Sequence, residues 1–443
     1  MRHVLVMALS ASAGLLSMFV VDFVDLYFIS LLGNAAYTAA VGFAGTLIFF
    51  NMSVGIGLMI AMSALTARRL GRGDAEGARA IATNIFAASI VVGGVLGTVF
   101  FIFAPQLLDL IGASGEARER GANYIRIVAL SVPVMTAGMA SSGLLRGHGD
   151  ARRAMNATLA AGLVNAVLDP IFIFALNFSV EGAAMASVCA RIAMAATAIY
   201  PVLKHYGGFA AFEKPKFFSD LPVIFGIAGP AVLTNVATPV GGVIVMRYIA
   251  EHGDAAVAGF AVIGRLTPLA FCVIFALSGA VGPIIGQNFG AGQLARVRAT
   301  LTKALQFAAI YTGIVWIALA LGAGPIIAGF GLSDAGAQIV RTFAYFAAPL
   351  FYFNGMLFIA NAAFNNLDRP TWSTGFNWAK NTIGVLPFVA VGAAMAGGPG
   401  VVMGQAVGLG GEGEIVGVAA VFQPPLARVP VQAAVERGGD EVR

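Results

Sequence analysis

Long apolar runs alternate with short polar breaks along nearly the whole chain. Each run is about 20 residues or more, enough to carry a helix across a hydrocarbon core of about 30 Å. The pattern predicts about twelve spans, near residues 4–32, 37–66, 80–104, 121–145, 154–178, 181–204, 221–250, 255–285, 300–323, 339–365, 372–396 and 399–423. Membrane strands need only about 10 alternating residues, so runs of this length, rich in Gly and Ala, are read as helices. The last run is the least regular. "GLGGEGEIVG" sets Glu412 and Glu414 inside it, and the tail after Gln423 is polar and contains prolines. The opening "MRHVLVMALSASAG" has the basic start and small residues of a secretory signal. The apolar run continues through "LLSMFVVDFVDLYFISLLG" without a polar mature start, so a first membrane helix is expected.

The polar breaks carry the orientation. Those after even-numbered spans are basic: "ARRLGRGDAEGAR", "LRGHGDARRA", "KHYGGFAAFEKPKFF" and "GAGQLARVRATLTK". Those after odd-numbered spans are short or nearly uncharged, apart from the mixed "DLIGASGEAR". The positive-inside rule then places the even loops and both termini in the cytoplasm, as expected of a multi-pass protein of a cytoplasmic (inner) membrane. Composition agrees. Of 443 residues, 59% are hydrophobic and only 11% charged, against roughly 25% charged in soluble domains; the mean hydropathy is +0.87. A pI near 9.4 first suggests nucleic acid, but the basic residues are dispersed over loops and form no patch, so no nucleic-acid partner is expected. Cys189 and Cys272 both lie in apolar runs, where they act as small buried hydrophobes; they offer no disulfide or metal framework.

The chain also repeats itself. "ALTARRLGRGDAEGAR" after the second span pairs with "PIIGQNFGAGQLARVR" after the eighth, which aligns Gly71 with Gly290 and Gly73 with Gly292. The region around Gly42 pairs with "AVAGFAVI" around Gly259, and "RGHGDARRA" answers "NNLDRPTWS". Two parallel six-helix halves follow, roughly 1–208 and 209–443. They predict an all-α polytopic membrane protein of two pseudo-symmetric lobes with a cavity between them, a transporter layout.

Ionisable groups inside a membrane are costly, about 2.5–3.5 kcal/mol at a helix centre on insertion scales, and mark functional sites by default. Asp22 and Asp25 in the first span and Asp169 in the fifth are such groups, and the first five spans of the second half hold no comparable acid. In "GLVNAVLDPIFIFALNF", Asn165 lies one turn before Asp169 on the same helix face. Pro170 cannot donate to the Ala166 carbonyl, and its ring disfavours helix at Asp169. A freed carbonyl, an amide oxygen and a carboxylate are therefore expected to converge on one side, a set that suits a proton or sodium alike. Asp22 and Asp25 share a face, and two carboxylates in a low-dielectric site do not both stay charged easily. Ser187 in the sixth span adds a further oxygen. Arg191, Arg247, Arg265 and Lys380 are read as snorkelling, packing or pairing with acids. Asn235, Thr238, Arg265 and Asn381 are weaker candidates to line a substrate cavity. The 33 Phe and 15 Met suit small lipophilic or cationic compounds. The sequence contains no P-loop, zinc motif or nucleophile elbow. No enzyme activity and no cofactor are expected, only a coupling ion, H+ or Na+.

The landmarks together resemble the multidrug and toxic compound extrusion (MATE) family, in its DNA-damage-inducible-type branch. The stretches that carry the resemblance are "FVVDFVDLYFISLLG", "SALTARRLGRGDAEGAR", "GLLRGHGDARRAMNATLAAGLVNAVLDPIFIF", "VEGAAMASVCARI" and "GPIIGQNFGAGQLARVR". The resemblance implies two lobes that alternate between outward- and inward-facing states, with efflux coupled to inward movement of protons or sodium. It implies that Asp25, eight residues before Gly33, is the coupling residue, whereas Asp22 does not match that place. Asn165, Asp169 and Ser187 match the family's fifth- and sixth-helix positions. The first helix departs from many members in lacking a proline, although Gly14 gives some freedom, and the C-terminal-lobe acids of some members are missing. The expected function is secondary export of toxic compounds by cation antiport, by a monomer in the bilayer. Alternatives are a flippase for a lipid-linked precursor, which would want a strongly cationic central cavity, or a scaffold without transport.

Overall fold

The computed structural model describes residues 2–32 and 34–409. Gly33, which fixes the spacing from Asp25, and Glu412, Glu414 and the polar tail lie outside the described residues, as does the side chain of Asp22. Among the described residues every regular element is helical. The first half holds α1 (Arg2–Ser30), α2 (Ala35–Gly71), α3 (Ala75–Leu110), α4 (Gly115–Ala129), α5 (Val132–Gly147), α6 (Ala151–Pro170) and α7 (Ser179–His205). The second holds α8 (Lys214–Ala250), α9 (Asp254–Ala270), α10 (Cys272–Gly290), α11 (Leu294–Gly329), α12 (Asp334–Thr342), α13 (Ala348–Asn366), α14 (Pro370–Ala379) and α15 (Leu386–Leu409).

Fifteen helices make twelve spans because several spans are broken. Among the described residues, nine helical stretches are long and apolar enough to cross a membrane, or ten when α4 and α5, bent by 53° at their junction, count as one. α1 adds another span. α9 and α10 meet at Phe271 to form the eighth. A π-helical turn, Phe343–Ala347, joins α12 to α13, and another, Lys380–Gly384, precedes α15.

The last of these stretches is two spans in one. α15 loses helical geometry at Ala396 and Gly397, where Gly397 takes φ +60°, and the chain folds back on itself. A Cβ on Gly400 would strike the Gly392 carbonyl, one on Gly404 the Phe388 carbonyl, and one on Gly408 the Gly384 carbonyl. Glycine every fourth residue gives one bare face, and backbone then packs on backbone as small residues allow in lipid. The reversal falls between the predicted eleventh and twelfth spans.

Turns on the basic-loop side are built alike. Asp74 caps α3 by accepting from the Gly77 N–H at 2.8 Å, and Asp150 caps α6 by accepting from the Arg153 N–H at 3.1 Å. Asp150 also accepts from Tyr206 Oη at 2.7 Å. Burial pushes its carboxyl up, but the hydrogen bonds from Tyr206 and Arg153 outweigh burial and hold it below the ordinary carboxylate value.

Two apolar cores occupy the first half, around Leu47, Phe100 and Ile125 and around Leu58, Met62 and Ile85. One large core occupies the second half, around Phe271, Leu277, Ile339 and Phe364. The separation is not complete, because Ile224 and Ile227 of α8 join a first-half core while Ala8 and Ala151 join that of the second half.

Candidate functional site

α1 and α6 run side by side in one direction. A Cβ on Gly14 would meet Met155 and Thr158, and one on Gly162 would meet Val21. One turn further along both helices this register delivers Asp25 to Asn165 and Asp169. Asp169 is fully buried and Asn165 is 4% exposed; Asp25 is half-buried.

Asn165 sits between the two acids. In one orientation of its amide, Nδ2 donates to Asp169 Oδ1 at 3.3 Å, which turns Oδ1 toward Asp25. In the other, Nδ2 lies 3.0 Å from both carboxylate oxygens of Asp25. Ionised carboxylates only accept hydrogen bonds, so the single amide N–H group serves one acid in each orientation. Asp169 Oδ2 is buried without a donor among the described residues. Such a group is costly unless a proton or cation meets it.

Pro170 behaves differently from the expectation of a broken helix. The chain continues through Asp169 and Pro170 and widens into a π-helical turn at Ile171–Ala175. The wider turn absorbs the missing N–H without unwinding, as such bulges do at functional sites. Phe174 in this turn meets Phe28 of α1 edge-on at 6.0 Å.

Ser187 does not reach the acids directly. Its hydroxyl pairs at 3.4 Å with the Oη of Tyr124, a buried phenol of α4. Arg191 donates to the Val128 carbonyl at 3.3 Å and to Ser131 Oγ at 3.1 Å. It thereby pins the α4–α5 bend to α7. Sequence reading missed Tyr124. The signal available was a phenol inside an apolar span, which needs a partner for its hydroxyl when buried.

Of the four cavity candidates of the second half, Asn381 alone is buried. Asn235 donates to the Ala231 carbonyl of its own helix at 2.8 Å, and Thr238 and Arg265 are exposed. Buried Asn381 donates to the Asn377 carbonyl at 2.8 Å and lies against Gly241. The polar cluster that does form is centred on Asn361, whose Oδ1 accepts from Ser373 Oγ at 2.8 Å and Asn377 Nδ2 at 2.9 Å. Thr234 and Thr374 adjoin it at 3.3 Å from each other, and Lys380 Nζ donates to Asn354. Asn377 of α14 and Asn381 of the following π-helical turn, four residues apart, were the signal available for this face.

Among proteins of known family, the MatE family model matches this chain twice, over residues 11–171 and again over 230–391. The chain belongs to the MatE family of membrane transporters; the match identifies the family and no branch within it. It is 28% identical over 412 residues to the FAD transporter of Shewanella oneidensis, covering 91% of this chain and 90% of that one. It is 27% identical over 285 residues to the multidrug export protein MepA of Staphylococcus aureus, an alignment spanning 63% of this chain and 62% of MepA. The fold is that of solved transporters. A mutant of the Vibrio cholerae MATE transporter VcmN superposes with a TM-score of 0.89 at 21% identity, covering 98% and 97% of the two chains. A Pyrococcus furiosus transporter of the MOP superfamily gives 0.88 at 22%, covering 96% of each.

Proposed function

We propose that the protein exports small organic compounds across a cytoplasmic membrane in exchange for an inward-moving proton or sodium ion, by alternating access between lobes 1–208 and 209–443. The observation that carries the reading is Asn165 held between Asp25 and Asp169, with one oxygen of Asp169 buried and donorless. The amide has two useful orientations. With Asp25 protonated, its O–H donates to Asn165 Oδ1 while Nδ2 holds Asp169. With Asp25 ionised, the amide turns and Nδ2 donates to Asp25. A proton arriving at Asp25 is thus reported one helix away at Asp169, and a sodium ion fits the same oxygens. Tyr124, Ser187 and Arg191 complete the wall of this site, and Arg191 ties its state to the bend between α4 and α5. A coupling ion brings about 2.3 kcal/mol per charge per 100 mV, before any concentration gradient.

The cargo is small and lipophilic or cationic on the multidrug reading, in line with MepA. A flavin-dinucleotide cargo is the second reading, supported by the FAD transporter alignment, which spans far more of the chain than that with MepA. In proteoliposomes, an imposed pH gradient and then a sodium gradient should drive a cationic dye or FAD outward, and Asp25→Asn should reduce that flux to background while the protein still inserts. Undiminished flux in Asp25→Asn, or tolerance of substitution at Asp25 and Asp169 together, would count against coupling at this site.

A further inference from the structure

The two halves meet on the basic-loop side, where α2 crosses α10. Gly71 packs on the carbonyl of Gln287, and Gly290 packs on the carbonyl of Arg68. The four positions are related by the internal repeat: Gly71 is to Gly290 as Arg68 is to Gln287. The contact is therefore reciprocal, each helix offering a glycine notch to the same turn of the other, and a side chain at either notch would strike backbone.

The side chains repeat the reciprocity. Arg68 Nη2 donates to the Asn365 carbonyl at 2.7 Å, reaching into the α13–α14 turn of the other half. Gln287 Nε2 donates to the Gly147 carbonyl at 2.8 Å, reaching into the α5–α6 turn of the first. These are equivalent turns, "NNLDRP" and "RGHGDA". Arg68 also pairs with Asp368, a residue held in the left-handed region at φ +60°. Arg68 is 7% exposed along its side chain whereas Asp368 is 65% exposed, so the ion pair sits at the rim and the carbonyl bonds lie deeper. Gly286 of α10 extends the seam by packing against Ala67 of α2.

We infer that Arg68 and Gln287, with the notches Gly71 and Gly290, form a two-fold latch that closes the cleft on the basic-loop side and must release on both sides for cargo to enter from there. The inference rests on the two-lobe antiport reading. Buried backbone carbonyls rarely go unpaired, so opening trades two directed bonds for water and separates the helices where their backbones touch. The closed state is specified by shape as well as by hydrogen bonds, and an added methyl at the notches removes it without touching the ion site.

The test is a distance measurement by double electron–electron resonance in lipid nanodiscs, with spin labels on Arg152→Cys and Gln293→Cys, both exposed and one in each half. Cys189 and Cys272 are replaced by alanine. The pair Arg68→Ala with Gln287→Ala, and separately Gly71→Ala with Gly290→Ala, should each shift the population to longer distances. Gly45→Ala with Gly94→Ala, where a Cβ meets nothing within 4 Å, should leave it unchanged. Native distances in both test pairs would overturn the latch. If the native protein itself samples short and long distances while both pairs match it, the latch falls and the antiport reading stands. A single short distance in every sample sinks both.

Discussion

At the scale of the residue, the proposed coupling at the acids of α1 and α6 is tested at Asn165 and Tyr124. Asn165→Ala leaves both carboxylates without their shared donor and should abolish gradient-driven flux as Asp25→Asn does. Asn165→Asp keeps the shape but adds a third acid, whose like charge favours protonation of its neighbours, and should lower the proton concentration needed for half-maximal flux. Tyr124→Phe removes one hydroxyl from a net hydrogen bond of about 0.5–1.5 kcal/mol, so flux should fall several-fold with insertion intact. Asp150 lies outside this machinery and tests stability alone. Asn is as good a cap as Asp, so Asp150→Asn isolates the charge. The folded carboxyl titrates below its ordinary value, so its contribution is full at neutral pH and fades as pH falls from about 4 through the lower folded value. The melting temperature of Asp150→Asn should be below that of the native protein at pH 7, with the gap closing in acid.

Among elements, the sequence made the apolar helices plain and concealed their breaks. Runs of about 20 apolar residues announce spans, but the junction of α4 and α5 at Leu130–Ser131, just before Pro133, and that of α9 and α10 at Phe271, just after Pro268, lie inside unbroken apolar runs and read as continuous spans. Asp25, Asn165 and Asp169 were legible because charge and amide are rare in such runs. Tyr124 was not, since an aromatic in an apolar span resembles core until its partner is seen. Pro170 was legible as a disturbance but not in kind. The neighbouring helices hold the axis straight, so the chain widens at Ile171–Ala175 instead of breaking. Pro170→Ala should let that turn relax to α geometry, raising the melting temperature while lowering flux, because the acids lose their offset from Phe174. In the α15 reversal, Gly404→Val drives a branched side chain into the Phe388 carbonyl. Overpacking of this kind costs typically about 1–3 kcal/mol, and the variant should melt earlier in detergent.

For the whole molecule, the repeat read from glycine-rich stretches corresponds to two matches of one family model, yet it does not disclose which groups meet. Polarity is distributed unequally: carboxylates gather at α1 and α6, whereas amides, hydroxyls and Lys380 gather between α8, α13 and α14. The crossing of α2 and α10 is where the halves treat each other as equals. Self-complementary contact of that sort is what a symmetric pair of identical subunits makes. Two identical separate halves would have to make both bonds with one residue type; a single chain lets the two positions differ, arginine on one side and glutamine on the other, while backbone contact demands glycine at both notches.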